Sequence, residues 1–163
     1  MRFTVRDYRR EDFDTLWAID QSCFDPKIAY SRYELRIYLR RFGAFTLVAE
    51  SNEQLTDRDC PLILAFVVAE SNRRGMGHII TIDVRPQERR HRIGSALLEA
   101  AEGRLRTAKC KAVRLETSVD NFSALSFYKR HGYDVIQVIP HYYSNGVDAL
   151  LLEKNLLSVE SSS

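Results

Sequence analysis

Two hydrophobic periods run through the chain. Phe3 and Val5 alternate with polar neighbours, which predicts an opening strand. Across residues 11–23, Phe13, Leu16, Trp17 and Ile19 recur at helical spacing, and Pro26 interrupts the run. A second helix is predicted over 31–41 from Tyr33, Leu35, Ile37, Tyr38 and Leu39. Ser31 and Glu34 have capping-box spacing at its start, and Gly43 ends it. Residues 44–50 and 61–70 are β-rich, and the polar, aperiodic stretch 51–59 between them reads as an exposed loop. A turn at 72–75 and a strand over 78–84 complete an antiparallel meander across 44–84.

Leu97, Leu98, Ala101 and Leu105 then mark a helix over 94–108, followed by a strand at 112–119. A helix over 121–131 has Asn121 as N-cap and Gly132 as its stop. Strands at 133–139 and 147–154 close the pattern. The predicted order is β-α-α-β-β-β-α-β-α-β-β, a mixed α/β (α+β) domain over residues 1–156, with 157–163 as a loose tail. No internal repeat or composition break divides it.

Composition narrows the function by exclusion. The 163 residues are 45% hydrophobic and 28% charged, the balance of a globular domain with a real core. The longest clean apolar run, 62–69, is far short of the ~20 residues of a membrane span. The N-terminus has no apolar signal region, so no membrane role is expected. Lys plus Arg is 24 and Asp plus Glu 22, a net charge of +2 that is too balanced to suggest nucleic-acid binding. Three scattered cysteines with no CxxC spacing argue against a disulfide framework or metal site and fit a reducing, cytoplasmic compartment.

One spot is unbalanced. Residues 85–92 carry four arginines, nine residues separate the end of one strand at Val84 from Gly94, and a helix follows. A helix N-terminus offers unpaired N–H groups and partial positive charge, and arginines before it add bidentate donors. With Gly94 permitting close approach and Ser95 adding a hydroxyl, the segment reads as a diphosphate cradle. A solvated basic loop is the plain alternative.

Residues 89–98, RRHRIGSALL, resemble the acetyl-CoA motif of the GNAT N-acetyltransferases, a pattern of Gln/Arg-x-x-Gly-x-Gly/Ala between a strand and a helix. Arg92 stands where the family has its middle glycine. If that position needs positive φ, arginine carries a conformational cost there. The resemblance extends over roughly 2–156 and is closest to RimI-type ribosomal-protein alanine and other protein N-terminal acetyltransferases. By that resemblance acetyl-CoA is the cosubstrate and no metal is needed. Ile82, Val84, Arg89, Arg90, Arg92, Gly94, Ser95 and Asn121 would hold it, the backbone near Ile82 and Val84 serving as oxyanion donor. In the segment 115–133, Glu116 matches the proposed general base and Tyr128 the general acid toward the departing thiolate. Read from the residues alone, Glu116 is a surface partner for Arg114 and Tyr128 a core residue with its hydroxyl satisfied; the catalytic roles come from the resemblance.

The segment 140–149 resembles the aromatic hairpin that closes over the acceptor, and residues 23–31 the other acceptor-side loop. Phe24, Tyr30 and Tyr142 are the expected acceptor contacts, Tyr142 being preferred because adjacent tyrosines of a strand point opposite ways. An Asn-Gly hairpin is the plain reading of the first. The family usually has Pro-Trp-Ser where this chain has Ala29-Tyr30-Ser31, which leaves acceptor preference open. An α-amine (about 7.7–8.0) loses its proton more readily than a lysine (about 10.4), by about 3.4 kcal/mol, which favours a protein or peptide N-terminus as acceptor. Acetylation of lysine or a small amine, and a non-enzymatic CoA-binding regulatory module, are the alternatives.

Overall fold

The computed structural model describes residues 3–53 and 61–157; most of the expected 51–59 loop and of the 157–163 tail lies outside the described residues. Strands β1 (Phe3–Asp7), β2 (Ala44–Ser51), β3 (Ile63–Ser71), β4 (Met76–Val84), β5 (Ala112–Ser118), β6 (Asp134–Ile139) and β7 (Ala149–Asn155) form one sheet in the order β1-β2-β3-β4-β5-β7-β6. All pairings are antiparallel except β4 with β5. Helices α1 (Phe13–Cys23), α2 (Arg32–Arg40), α3 (Ile93–Thr107) and α4 (Phe122–Arg130) complete the expected mixed α/β order. No helix among the described residues is long and apolar enough to cross a membrane.

The helices form two layers because their apolar stripes meet opposite faces of the sheet. On one face, Phe13, Leu16 and Ile19 of α1 and Leu35 of α2 pack on Val48, Ile63, Phe66 and Val68. On the other, Leu97, Leu98, Ala101 and Leu105 of α3 pack with Tyr128 of α4 on Leu47, Val67, Ile79, Val113 and Leu115. The capping box of α2 is present: Glu34 N–H donates to Ser31 Oγ (3.0 Å), and Ser31 N–H donates to Glu34 Oε1 (3.2 Å).

The feature that makes a site is in β4. Val68 of β3 pairs with Thr81 and Ala69 with Ile79, so Ile80 is an extra residue, a β-bulge. Before it, Gly77 and Ile79 face α3; after it, Ile82 and Val84 take that face, while Ile80 packs toward α1 and α2. A bulge bends its strand and increases its twist. Pairing of β4 with β5 runs only from Met76 to His78 and stops at the bulge, although both strands continue. The two strands part, and a cleft opens in the middle of the sheet.

Candidate functional site

The cleft has a polar rim made of backbone. Arg85 N–H donates to Leu64 O (3.0 Å), which fixes the phase of the β3–β4 ladder. Backbone groups alternate in direction along an antiparallel strand, so those of Ile82 and Val84 point away from β3. They face the gap that β5 has left, where the Val84 carbonyl accepts from Cys23 Sγ (3.2 Å). The two positions expected to supply backbone donors are thus the ones directed into the cleft.

Behind β4, the arginine loop coils at the start of α3. Arg90 (φ 71°) and Arg92 (φ 61°) both adopt the left-handed conformation, with Arg92 as the N-cap residue of α3. The position where the family pattern has glycine does need positive φ. The first N–H groups of α3 have no intrahelical partner and carry the positive end of the helix dipole. Arg89, Arg90 and Arg92 are exposed. Arg85 is directed differently: its Nε donates to Ile63 O (2.7 Å), holding the edge of β3. A Cβ at Gly94 would meet Phe127 and Val84 only at ordinary contact distances of 3.5 and 3.6 Å, so packing alone does not require glycine there. Ser95 Oγ lies 2.9 Å from His131 Nε2, which ties the start of α3 to the end of α4. Asn121 caps α4, accepting from Ala124 N–H (3.2 Å), at the end of the cleft beyond β5.

Glu116 projects from β5 on the α1–α2 side of the cleft. Its partner is not Arg114, which pairs with Glu153 (3.3 Å). Glu116 Oε2 instead lies 2.7 Å from His78 Nε2, bridging the two strands where they part. His78 Nδ1 is 3.5 Å from Glu70 Oε1. Burial pulls the imidazole pKa down, but the hydrogen bonds and charges of Glu116 and Glu70 outweigh burial and leave it raised above 6.5. The sequence reading missed His78. It sits 38 residues from Glu116, and no local spacing signals a contact made only by parallel register.

Tyr128 is buried from the opposite side, edge-on to Tyr133 with ring centroids 5.6 Å apart. Its hydroxyl makes no hydrogen bond among the described residues. Burial first, then the charges of Asp83 and Tyr143, push its pKa up, so the phenol keeps its proton.

Two loops cover the α1–α2 side. Phe24 is the half-buried C-cap of α1. Tyr30 is gripped by its backbone: its N–H donates to Asp20 Oδ2 (2.8 Å), and its carbonyl accepts from Trp17 Nε1 (3.1 Å) and Gln21 Nε2 (2.7 Å). Tyr142 and Tyr143 lie in the β6–β7 connection, between the two expected strands, so the strand alternation used to prefer Tyr142 does not apply to them. Two features take the chain out of extended geometry there: His141 has φ 52°, and a turn closes from Gly146 N–H to Tyr143 O (2.9 Å). The two rings pack against each other edge to face at 4.9 Å, with Tyr142 the more exposed. Both feel the charge of Glu116, and Tyr142 lies close enough to Tyr30 to act on it electrostatically. Ser144 Oγ donates to the Lys27 carbonyl, which joins the two loops. Among the described residues no group of three or more His, Cys, Asp or Glu converges as a metal site.

A family model described as the acetyltransferase (GNAT) family matches residues 8–133. An N-alpha-acetyltransferase of Sulfurisphaera tokodaii is 30% identical over 158 residues, covering 92% of this chain and 91% of the relative. The crystal structure of Ard1 from Thermoplasma volcanium superposes with a TM-score of 0.83 at 24% identity, covering 97% of this chain and all of that one. A crystal structure of the NatC complex bound to Gag peptide and CoA contains a chain with a TM-score of 0.79 at 25% identity; the match covers 95% of this chain and 99% of that one.

Proposed function

The chain belongs to the GNAT family of acetyltransferases, and from that premise we propose that it moves the acetyl group of acetyl-CoA onto the α-amine of a protein or peptide N-terminus. Relatives named N-alpha-acetyltransferase that match nearly the full chain support that acceptor class. The observation that carries the reading is the cleft itself. A carboxylate–imidazole pair, a protonated phenol and outward-facing backbone donors border one gap between β4 and β5, under two tyrosine-bearing loops.

The left-handed turn at Arg90 and Arg92, the open N–H groups of α3 and the exposed guanidinium groups of Arg89, Arg90 and Arg92 fit a pyrophosphate. Asn121 and Ser95 flank the arm that leads inward. Acetyl-CoA supplies an activated thioester. The N–H groups of Ile82 and Val84 meet the negative charge that grows on its carbonyl oxygen.

Glu116 takes the proton of the acceptor amine, through water, and passes positive charge to His78 Nε2. The pair accepts the proton once the His78 imidazole is neutral. Tyr128 Oη holds the proton that the leaving sulfur needs. Phe24, Tyr30 and Tyr142 enclose the first residues of the acceptor.

The test is thiol release with a panel of peptides varied at their first two residues, beside α-acetylated, lysine-containing controls. Release with free α-amines and none with blocked peptides is expected. Release that follows lysine would overturn the acceptor assignment. Tyr128→Phe should lower kcat by about 10²-fold with CoA affinity retained, the usual scale of a lost acid; full activity would remove Tyr128 from its role.

A further inference from the structure

Asp20 and Asp83 are the most deeply buried carboxyl groups of the site region, 0% and 1% exposed. Asp20 projects from α1 and Asp83 from the end of β4, and their side chains are within hydrogen-bonding reach of each other. Each has one oxygen occupied. Asp20 Oδ2 accepts from Tyr30 N–H (2.8 Å), and Asp83 Oδ1 accepts from Thr81 Oγ1 (2.5 Å). The other two oxygens, Asp20 Oδ1 and Asp83 Oδ2, are buried with no partner among the described residues. Two carboxylates cannot satisfy each other, but one proton between those oxygens satisfies both.

We propose that a proton shared by Asp20 and Asp83 is a positioning device for the acceptor site: it clasps α1 to the end of β4 and through Asp20 sets Tyr30 at the mouth of the cleft. Three α1 side chains hold the Tyr30 backbone, and Asp20 alone of them is anchored to the sheet next to the reacting groups. The Cys23 Sγ contact to Val84 O lies on the same seam between α1 and β4. The titratable and charged groups facing the pair are Tyr30 and Glu34 from the α1–α2 side, Cys23 from α1, Arg89 from the loop after β4 and Tyr128 from α4. Arg89 is the only cation among them and is exposed, so it does not replace the proton.

Burial is the main reason that both carboxyls hold protons above the ordinary carboxylate range, Asp83 most of all. Sign follows from linkage. The folded state keeps a proton that the unfolded chain has lost, so the clasp weakens as pH rises from about 4 through the value of the pair. Asp83→Asn replaces the shared proton with an amide N–H that does not titrate.

The inference rests on the acetyltransferase reading only in its kinetic arm. Two quantities are followed between about pH 6 and pH 9: hydrogen-exchange protection of the Tyr30 amide, and KM for peptide against KM for acetyl-CoA. In the unmodified protein, Tyr30 protection should fall and peptide KM rise with pH, while the acetyl-CoA KM stays level. In Asp83→Asn both trends should flatten. Asp83→Ala should raise peptide KM about tenfold at every pH, with retained acetyl-CoA binding reporting that it folds. An Asp83→Asn variant that keeps the pH dependence of the unmodified protein in Tyr30 protection would overturn the proposal. If no peptide is acetylated at all, the functional reading fails while the exchange arm still decides on the clasp.

Discussion

Arg92 offers a quantitative test because its backbone and its charge pull in opposite directions. Its φ of 61° and ψ of 15° place it in the left-handed region, which costs an L-residue about 1–2 kcal/mol. Glycine is free of that cost, but gains unfolded-chain freedom worth about 0.4–1 kcal/mol. Arg92→Gly should therefore stabilise the ligand-free protein by about 0.5–1 kcal/mol, a rise in Tm of about 2 °C for a domain of this size. Arg92→Ala keeps the strained backbone and should melt within about 1 °C of the unmodified protein. Both variants lose the guanidinium, so both should bind CoA more weakly, by about three- to tenfold at low salt, with the deficit shrinking as salt screens the phosphate charge. Scanning calorimetry without ligand and CoA titration at two salt concentrations separate the two effects. Equal melting of the glycine and alanine variants would refute the strain argument. Undiminished CoA affinity in both would remove Arg92 from the pyrophosphate site.

Two further outcomes follow from buried charge. The raised His78 pKa means that its contribution to stability is fully present below about 6.5 and is lost as pH rises through the folded value, and under the proposed mechanism kcat/KM should rise over that range. Glu116→Gln removes the nearest charge, so the rise in kcat/KM should shift to lower pH and its plateau drop by about 10²-fold; an unmoved midpoint in the pH–rate profile would sink the coupled-base assignment. Glu102, 2% exposed, accepts from Tyr133 Oη (2.7 Å) and Lys154 Nζ (3.0 Å), so Glu102→Ala should cost about 3 kcal/mol in urea unfolding; a loss under 1 kcal/mol would show that the network is dispensable.

What the sequence disclosed depended on whether the physics is local. The helix stripe of α3, the Ser31–Glu34 box and the Asn121 cap are contacts within a few residues, and all are present. The demand for positive φ at Arg92 was also legible, as a mismatch of residue and motif. The partners of the charged residues were not. His78 meets Glu116 only through the parallel register that a crossover helix sets, and Asp20 meets Asp83 only because α1 packs on β4. The preference for Tyr142 rested on strand alternation, which does not hold in a connection whose turn and left-handed His141 break it.

The bulge at Ile80 gives β4 a change of phase. Strand residues two apart share a face, and one inserted residue exchanges the two faces from that point on. The early half of β4 therefore belongs to the sheet as a cohesive layer, and the late half belongs to the proposed site. Removing one residue there would restore a continuous alternation with Ile82 and Val84 still on the α3 side, and let β4 and β5 zip together to their ends. The gap proposed as the meeting place of acceptor and thioester is a defect in hydrogen-bond pairing, held open by a single residue of surplus length.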